Sequence, residues 1–176
     1  MIEIAIPDPS LVVLIGAAGA GKSTFAARHF DPSEVLSSDA YRALISGDPA
    51  DQGATRAAFG RLHRELGRRL DGRQLSVVDA TNVDRGARKA LLRRAASAGL
   101  PAVAIVLDLP AEVILARNAG RPERIVDERV VWLHLAQLRD TLDGPRRPLE
   151  TEGFNLVVVL CDPRKVDTVS VVRQTG

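Results

Sequence analysis

Leu11-Val12-Val13-Leu14-Ile15-Gly16-Ala17-Ala18-Gly19-Ala20-Gly21-Lys22-Ser23-Thr24 passes from an apolar run through a glycine-rich turn into residues of helical composition. An unbroken apolar run of this length reads as a strand buried on both faces of a parallel sheet. Gly16 to Ser23 then follows the spacing G-x-x-x-x-G-K-[ST], with the strand directly before it and a helix expected directly after it. Glycines there permit the positive φ angles that turn successive N–H groups inward, and larger side chains would block phosphates. The amino end of the helix adds partial positive charge. Gly16, Ala17, Ala18, Gly19, Ala20 and Gly21 are therefore expected to wrap the phosphates of a nucleoside triphosphate. Lys22 should reach its β and γ phosphates, Ser23 should ligate Mg²⁺ or Mn²⁺, and Thr24 should stand beside them in the first helical turn.

Outward from this stretch, strand and helix patterns alternate. Further strands are expected over Glu34–Leu36, Leu75–Asp79, Ala102–Leu107 and Phe154–Leu160. Helices are expected from Lys22 to Phe30, from Tyr41 to Ile45, over Thr55–Leu70, Arg85–Ala98 and Ala111–Ala119, and roughly over Ile125–Leu142. Phe59, Leu62, Leu66 and Leu70 are spaced as one buried helical stripe. Five strands alternating with helices predict an α/β domain, a parallel sheet with right-handed crossovers and helices on both faces. Its ligand crevice lies at the carboxyl ends of the strands. That places Ser37–Arg42 and Asp79–Asn82 beside the glycine loop.

The chain has 176 residues, 45% apolar and 26% charged, which suits one globular domain over residues 1–176 and excludes disordered and low-complexity classes. The single cysteine, Cys161, cannot close an intramolecular disulfide, and Met1-Ile2-Glu3-Ile4 lacks the basic start of a signal peptide, so a cytoplasmic location is expected. The apolar runs fall well short of the roughly 20 residues that cross a bilayer, so no membrane association is expected. The formal net charge is only +2, but eleven positive residues lie between Arg56 and Arg94 against four negative ones. Such a segment suits a polyanion through phosphate contacts, or is simply a solvated helical face.

A phosphate loop leaves the acceptor open. A GTPase would need an N-K-x-D motif, and Asn82-Val83-Asp84 is only a partial approach to it. The small size favours a phosphotransferase over a mechanical ATPase. A phosphotransferase needs a carboxylate across the crevice to take the acceptor's proton. Asp39, just past the second strand, fits that role or an N-cap role, and Arg42, three residues on, can hold an acceptor phosphate. Arg117 and Arg121 flank a small, rigid exit, Asn118-Ala119-Gly120-Arg121-Pro122, that reads as a hinged lid over about 111–126, and Arg117 can neutralise charge on the transferred group. Surface ion pairs with Glu112 or Glu123 are the plainer reading of these arginines. Asp79 either acts on the metal or orients Arg42. Thr81 or Asn82 would cap the next helix. His63 and His134 read as solvated or core residues, Trp132 as isolated, and Cys161 as a buried small hydrophobe. Val130 and Val131 read as core, or as a surface for a terminal nucleobase.

Taken together, Leu11–Gly16 with the loop, Glu34-Val35-Leu36-Ser37-Ser38-Asp39, Val77-Val78-Asp79-Ala80-Thr81-Asn82-Val83 followed by Ala87-Arg88-Lys89, and Arg117-Asn118 with Arg121 resemble the 5′-OH polynucleotide kinase domain of bacterial polynucleotide kinase-phosphatases, the RNA end-healing enzymes. The resemblance runs nearly end to end. It implies a P-loop NTPase fold of adenylate-kinase-like topology with strand order 2-3-1-4-5 and a helical lid. It further implies transfer of the γ-phosphate of ATP to 5′-OH ends of RNA or DNA. By the same resemblance Lys22 and Ser23 hold triphosphate and metal, Asp39 is the general base, Arg42 contacts the phosphate beside the terminal nucleoside, and Arg117 and Arg121 serve the donor phosphates. Parent proteins of that family carry phosphatase and ligase modules after the kinase, so the expectation is a kinase domain, natural or excised from such a parent. The alternatives are a small-metabolite kinase and an ATP-gated binding module.

Overall fold

The computed structural model describes residues 3–48, 53–121, 125–144 and 148–175. Its first two strands, β1 (Glu3–Asp8) and β2 (Leu11–Ile15), belong to different sheets. All five residues of β2 are 0% exposed, as a central parallel strand requires. It is flanked by β4 (Ser76–Asp79) and β5 (Ala102–Leu107), with β3 (Val35–Ser37) outside β4 and β6 (Leu156–Leu160) outside β5. The order β3-β4-β2-β5-β6 is all parallel. Counted among these five strands alone it runs second, third, first, fourth, fifth, as the resemblance implied; β1 only shifts the labels.

The helices are α1 (Lys22–His29), α2 (Ser38–Ser46), α3 (Thr55–Asp71), α4 (Arg85–Ser97), α5 (Ala111–Ala119), α6 (Glu128–Asp143), the short α7 (Pro148–Thr151) and α8 (Pro163–Thr168). Strand alternation sorts them onto two faces. Val12 and Leu14 join a core with Phe25, Phe30, Ile114 and Val131, whereas Leu11, Val13 and Ile15 join one with Leu62, Leu66, Leu91 and Ala95. None of the helices among the described residues is long and apolar enough to cross a membrane.

Four expectations are corrected. The chain ends, where no strand is expected, pair with each other in a small second sheet: β1 runs parallel to β7 (Ser170–Thr175), from Glu3 opposite Ser170 to Asp8 opposite Thr175. The alternation of Ile4 and Ile6, both buried, is the strand signal, and it places them on the Phe25–Phe30 core. Cys161 is exposed rather than buried, because it lies just past β6, an edge strand whose side chains are only partly covered. The buried stripe of α3 runs Ala58, Leu62, Leu66, Leu70, one position off the expected Phe59. The cap of α4 is Asp84, whose Oδ1 accepts from the Ala87 N–H at 2.8 Å, and neither Thr81 nor Asn82 takes that role. Asn82, at a positive φ of 50°, instead donates its side-chain amide to the Leu14 carbonyl at 2.8 Å, tying the end of β4 to β2.

Candidate active site

The loop leaves β2 at Gly16, whose N–H donates to the Thr81 carbonyl at 3.0 Å, and ends at Gly21, the left-handed residue (φ 94°) before α1. Gly19 is needed for a second reason besides its φ of +91°: a Cβ there would lie 2.7 Å from the Ile114 carbonyl of α5. Lys22 is buried, its ammonium donating to the carbonyls of Gly16 (2.8 Å) and Ala17 (2.9 Å), so the charge is held at the centre of the loop.

Opposite the loop stands the start of α2. β3 ends at Ser37, whose hydroxyl caps the helix by accepting from the Ala40 N–H at 3.4 Å. Ser37, not Asp39, is the cap, which settles the local alternative for Asp39. Asp39 lies in the first turn, where the helix favours an acidic side chain, and Arg42 forms an ion pair with it. Arg42 is buried and Asp39 only partly so. Burial pushes the guanidinium of Arg42 down from its ordinary value, although an arginine stays charged.

Asp79 ends β4 opposite both Leu14 and Ser37, so it sits where three strands converge. A cavity of about 200 Å³ brings together Lys22, Ser23, Asp39, Arg42, Asp79 and Arg121. A hydroxyl and a carboxylate on one cavity are hard oxygen donors of the kind Mg²⁺ or Mn²⁺ prefers. Among the described residues no cluster of three or more His, Cys, Asp or Glu could hold a metal by itself.

Arg117 and Thr24 lie elsewhere, in a second cleft on the far side of the loop, which Arg121 and Gly19 share with the first. The Arg117 guanidinium donates to the Ala20 carbonyl at 3.4 Å. Behind it, Asn118 exchanges two hydrogen bonds with Val126, at 2.7 and 3.1 Å, and so fastens α5 to the approach of α6. The expected lid over 111–126 is thus a regular helix anchored by the buried Ile114, followed by this clasp; Pro122 and Glu123 lie outside the described residues.

A family model described as an AAA domain matches residues 11–145. The chain belongs to the AAA domain family. No curated protein matches it in sequence. Among solved structures, the Pnkp1/Rnl/Hen1 RNA repair complex matches with a TM-score of 0.66 at 22% identity over 78% of this chain and 46% of that one. A sugar kinase from Janibacter sp. HTCC2649 matches with a TM-score of 0.57 at 21% identity over 90% of both chains. A gluconokinase from Sinorhizobium meliloti 1021 matches with a TM-score of 0.54 at 20% identity over 92% and 87%. At these identities the likeness is one of fold. This AAA domain has the P-loop kinase-like fold, which implies nucleotide binding.

Within the AAA domain, two residues of the site escaped the sequence reading, and a third was only half read. His134, read as solvated or core, lines the first cavity, with Nδ1 accepting from the Ala18 N–H at 3.5 Å. Phe59 lines it too, turned out of the α3 stripe. Val130 lines the cavity while Val131 is core, which splits the pair the sequence left undivided. The basic segment is also smaller than its sequence suggests. Arg88 is fully buried and Arg69 half-buried, leaving nine exposed cations on or beside α3 and α4. Those two helices touch where Arg94 passes 3.3 Å from the Cβ position of Gly67.

Proposed function

We propose that this domain transfers the γ-phosphate of ATP to the 5′-hydroxyl end of a polynucleotide. The observation that carries the reading is the Asp39–Arg42 ion pair facing Lys22 and Ser23 across one cavity. Lys22 and the loop amides hold the donor. Ser23 and Asp79 would hold the divalent cation, which when bound offsets charge on the phosphates. Asp39 accepts the proton as the 5′-oxygen attacks the γ-phosphorus; the new O–P bond forms as the bond to the β-phosphate oxygen breaks, giving ADP. Arg42 pairs with the phosphate on the 3′ side of the terminal nucleoside. Arg117 and Arg121 meet the donor from the lid side.

The acceptor cavity supports this in two ways. Phe59 and Val130 give it apolar walls suited to a base, and α3 leaves it carrying Arg56, Arg61, Arg64 and Arg68, which extend about 18 Å along the helix. A polyanion can follow that row. The RNA repair complex among the structural neighbours supports the same class of acceptor, while partner modules of phosphatase and ligase type rest on the family resemblance alone.

A second reading has its own support. The sugar kinase matches over 90% of both chains, so the domain is the size of a small-metabolite kinase. One assay separates them: labelled ATP and Mg²⁺ with 5′-OH RNA, 5′-OH DNA, and a panel of sugars and nucleosides. Label on oligonucleotide ends is the expected result. Label on a sugar with none on oligonucleotides would overturn the polynucleotide reading.

A further inference from the structure

Helix α6 directs Val130 and His134, one turn apart, into the first cavity. The His134 Nδ1 accepts from the Ala18 N–H, so the ring is neutral there and carries its proton on Nε2. Ala18 is one of three successive loop residues engaged by the α5–α6 unit. Gly19 abuts the Ile114 carbonyl, and Ala20 accepts from Arg117. Loop amides are the groups that a phosphate loop offers to its ligand. At 3.5 Å the bond to His134 is long, and an anionic phosphate oxygen is the stronger acceptor.

We propose that His134 is a place-holder for a donor phosphate: it yields the Ala18 amide when the nucleoside triphosphate binds, takes up a proton from solvent, and then donates to that phosphate. This rests on the kinase reading above. The two bonds exclude each other, because a protonated Nδ1 cannot accept from an N–H. Burial and the charge of Lys22 hold the His134 imidazole below its ordinary value. The other charged groups on the cavity are Asp39 and Arg42 of α2, which are paired, Asp79 of β4, and Arg121. A triphosphate reverses the balance by pairing with Lys22 and adding negative charge beside the ring. His134 thus acts as a positioning residue that reports occupancy of the loop as a proton.

The sign follows from linkage. A group whose proton affinity rises on binding makes the ligand bind more weakly as pH rises, by up to about tenfold per unit for one proton. Calorimetric titration with MgATP from pH 6 to 8.5, in two buffers of different protonation enthalpy, measures both slope and proton uptake. His134→Gln can still accept from Ala18 but cannot titrate. The expected result is uptake of part of a proton and a pH-dependent Kd in the wild type, with both lost in His134→Gln. Equal pH slopes and equal uptake in the two proteins would overturn the place-holder while leaving the donor site standing. Absence of MgATP binding to the wild type would overturn the kinase reading itself, and this proposal with it. A measurement without any variant guards against a misfolded one: ¹⁵N-coupled spectra of the wild-type imidazoles should show Nδ1 of His134 passing from bare to protonated on adding MgATP. An unchanged tautomer with MgATP bound would overturn the proposal.

Discussion

Arg88 has no exposed surface, and Glu152 holds it by both arms, Nε to Oε2 at 2.8 Å and Nη2 to Oε1 at 2.7 Å. Its remaining nitrogen donates to the carbonyls of Asn82 (3.0 Å) and Val83 (2.8 Å). The pair therefore fixes the turn after β4 that carries Thr81, the residue whose carbonyl holds Gly16. Removing one partner leaves a buried charge uncompensated, a loss of about 3–5 kcal/mol, whereas replacing both with apolar residues costs much less. Glu152→Ala should lower the urea midpoint sharply, and Arg88→Met with Glu152→Leu should recover most of it. A Glu152→Ala protein as stable as the wild type would show the pair to be dispensable.

Lys22→Ala should abolish phosphoryl transfer, since it removes the charge held between the Gly16 and Ala17 carbonyls, while circular dichroism reports an intact fold. Near-normal turnover at saturating ATP would remove Lys22 from the donor site.

Asp39 and Arg42 should fail differently. Asp39→Asn is nearly isosteric, and because Ser37 is the helix cap it leaves the start of α2 intact. It should retain ATP and oligonucleotide binding and lose about 10²–10⁴ in single-turnover rate. Arg42→Ala should weaken the acceptor chiefly when a phosphate follows its first nucleoside. If oligonucleotides with and without that phosphate lose affinity equally, Arg42 does not bind it.

Two glycines with left-handed backbone offer a contrast. Gly47→Ala, at φ +78° with nothing within 4 Å of the added carbon, should cost only the αL penalty of about 1–2 kcal/mol. Gly19→Ala carries a similar penalty and also forces the Ile114 carbonyl away, so it should lower ATP affinity as well as stability. Thermal melts and nucleotide titration of the two variants test this; equal ATP affinity in both would show that the α5 contact does not shape the loop.

For the basic row of α3, oligonucleotide affinity should fall with salt by about 0.7 log units per log unit of salt for each phosphate engaged. Arg56→Ala with Arg64→Ala should flatten that slope. A slope unchanged by the double variant would detach the first three turns of α3 from the acceptor.

The parts legible in the sequence are those whose cause is local. The run Leu11–Ile15 ahead of the glycines gave the central strand, and the spacing of Asp39 and Arg42 on a helix start put them side by side. What stayed hidden depends on partners distant along the chain. β1 finds β7 across the whole length of the domain, although the alternation of Ile4 and Ile6 was a usable sign. Arg88 counts as a surface cation until Glu152 meets it, and His134 reaches Ala18 only through the rotation of α6 about its axis. Phe59 shows the limit of periodicity itself: a stripe can turn by one residue and exchange a core side chain for one on the cavity.

The loop's two halves hang from different supports. Gly16 continues β2, whose amides are sealed between β4 and β5 and should exchange with solvent only when the domain unfolds globally, while Ala18, Gly19 and Ala20 rest against α5 and α6. Deuterium should therefore enter the second half far sooner than the first, and nucleotide should slow it there while leaving β2 unchanged. A catalytic loop built this way can yield at one end without loosening its root.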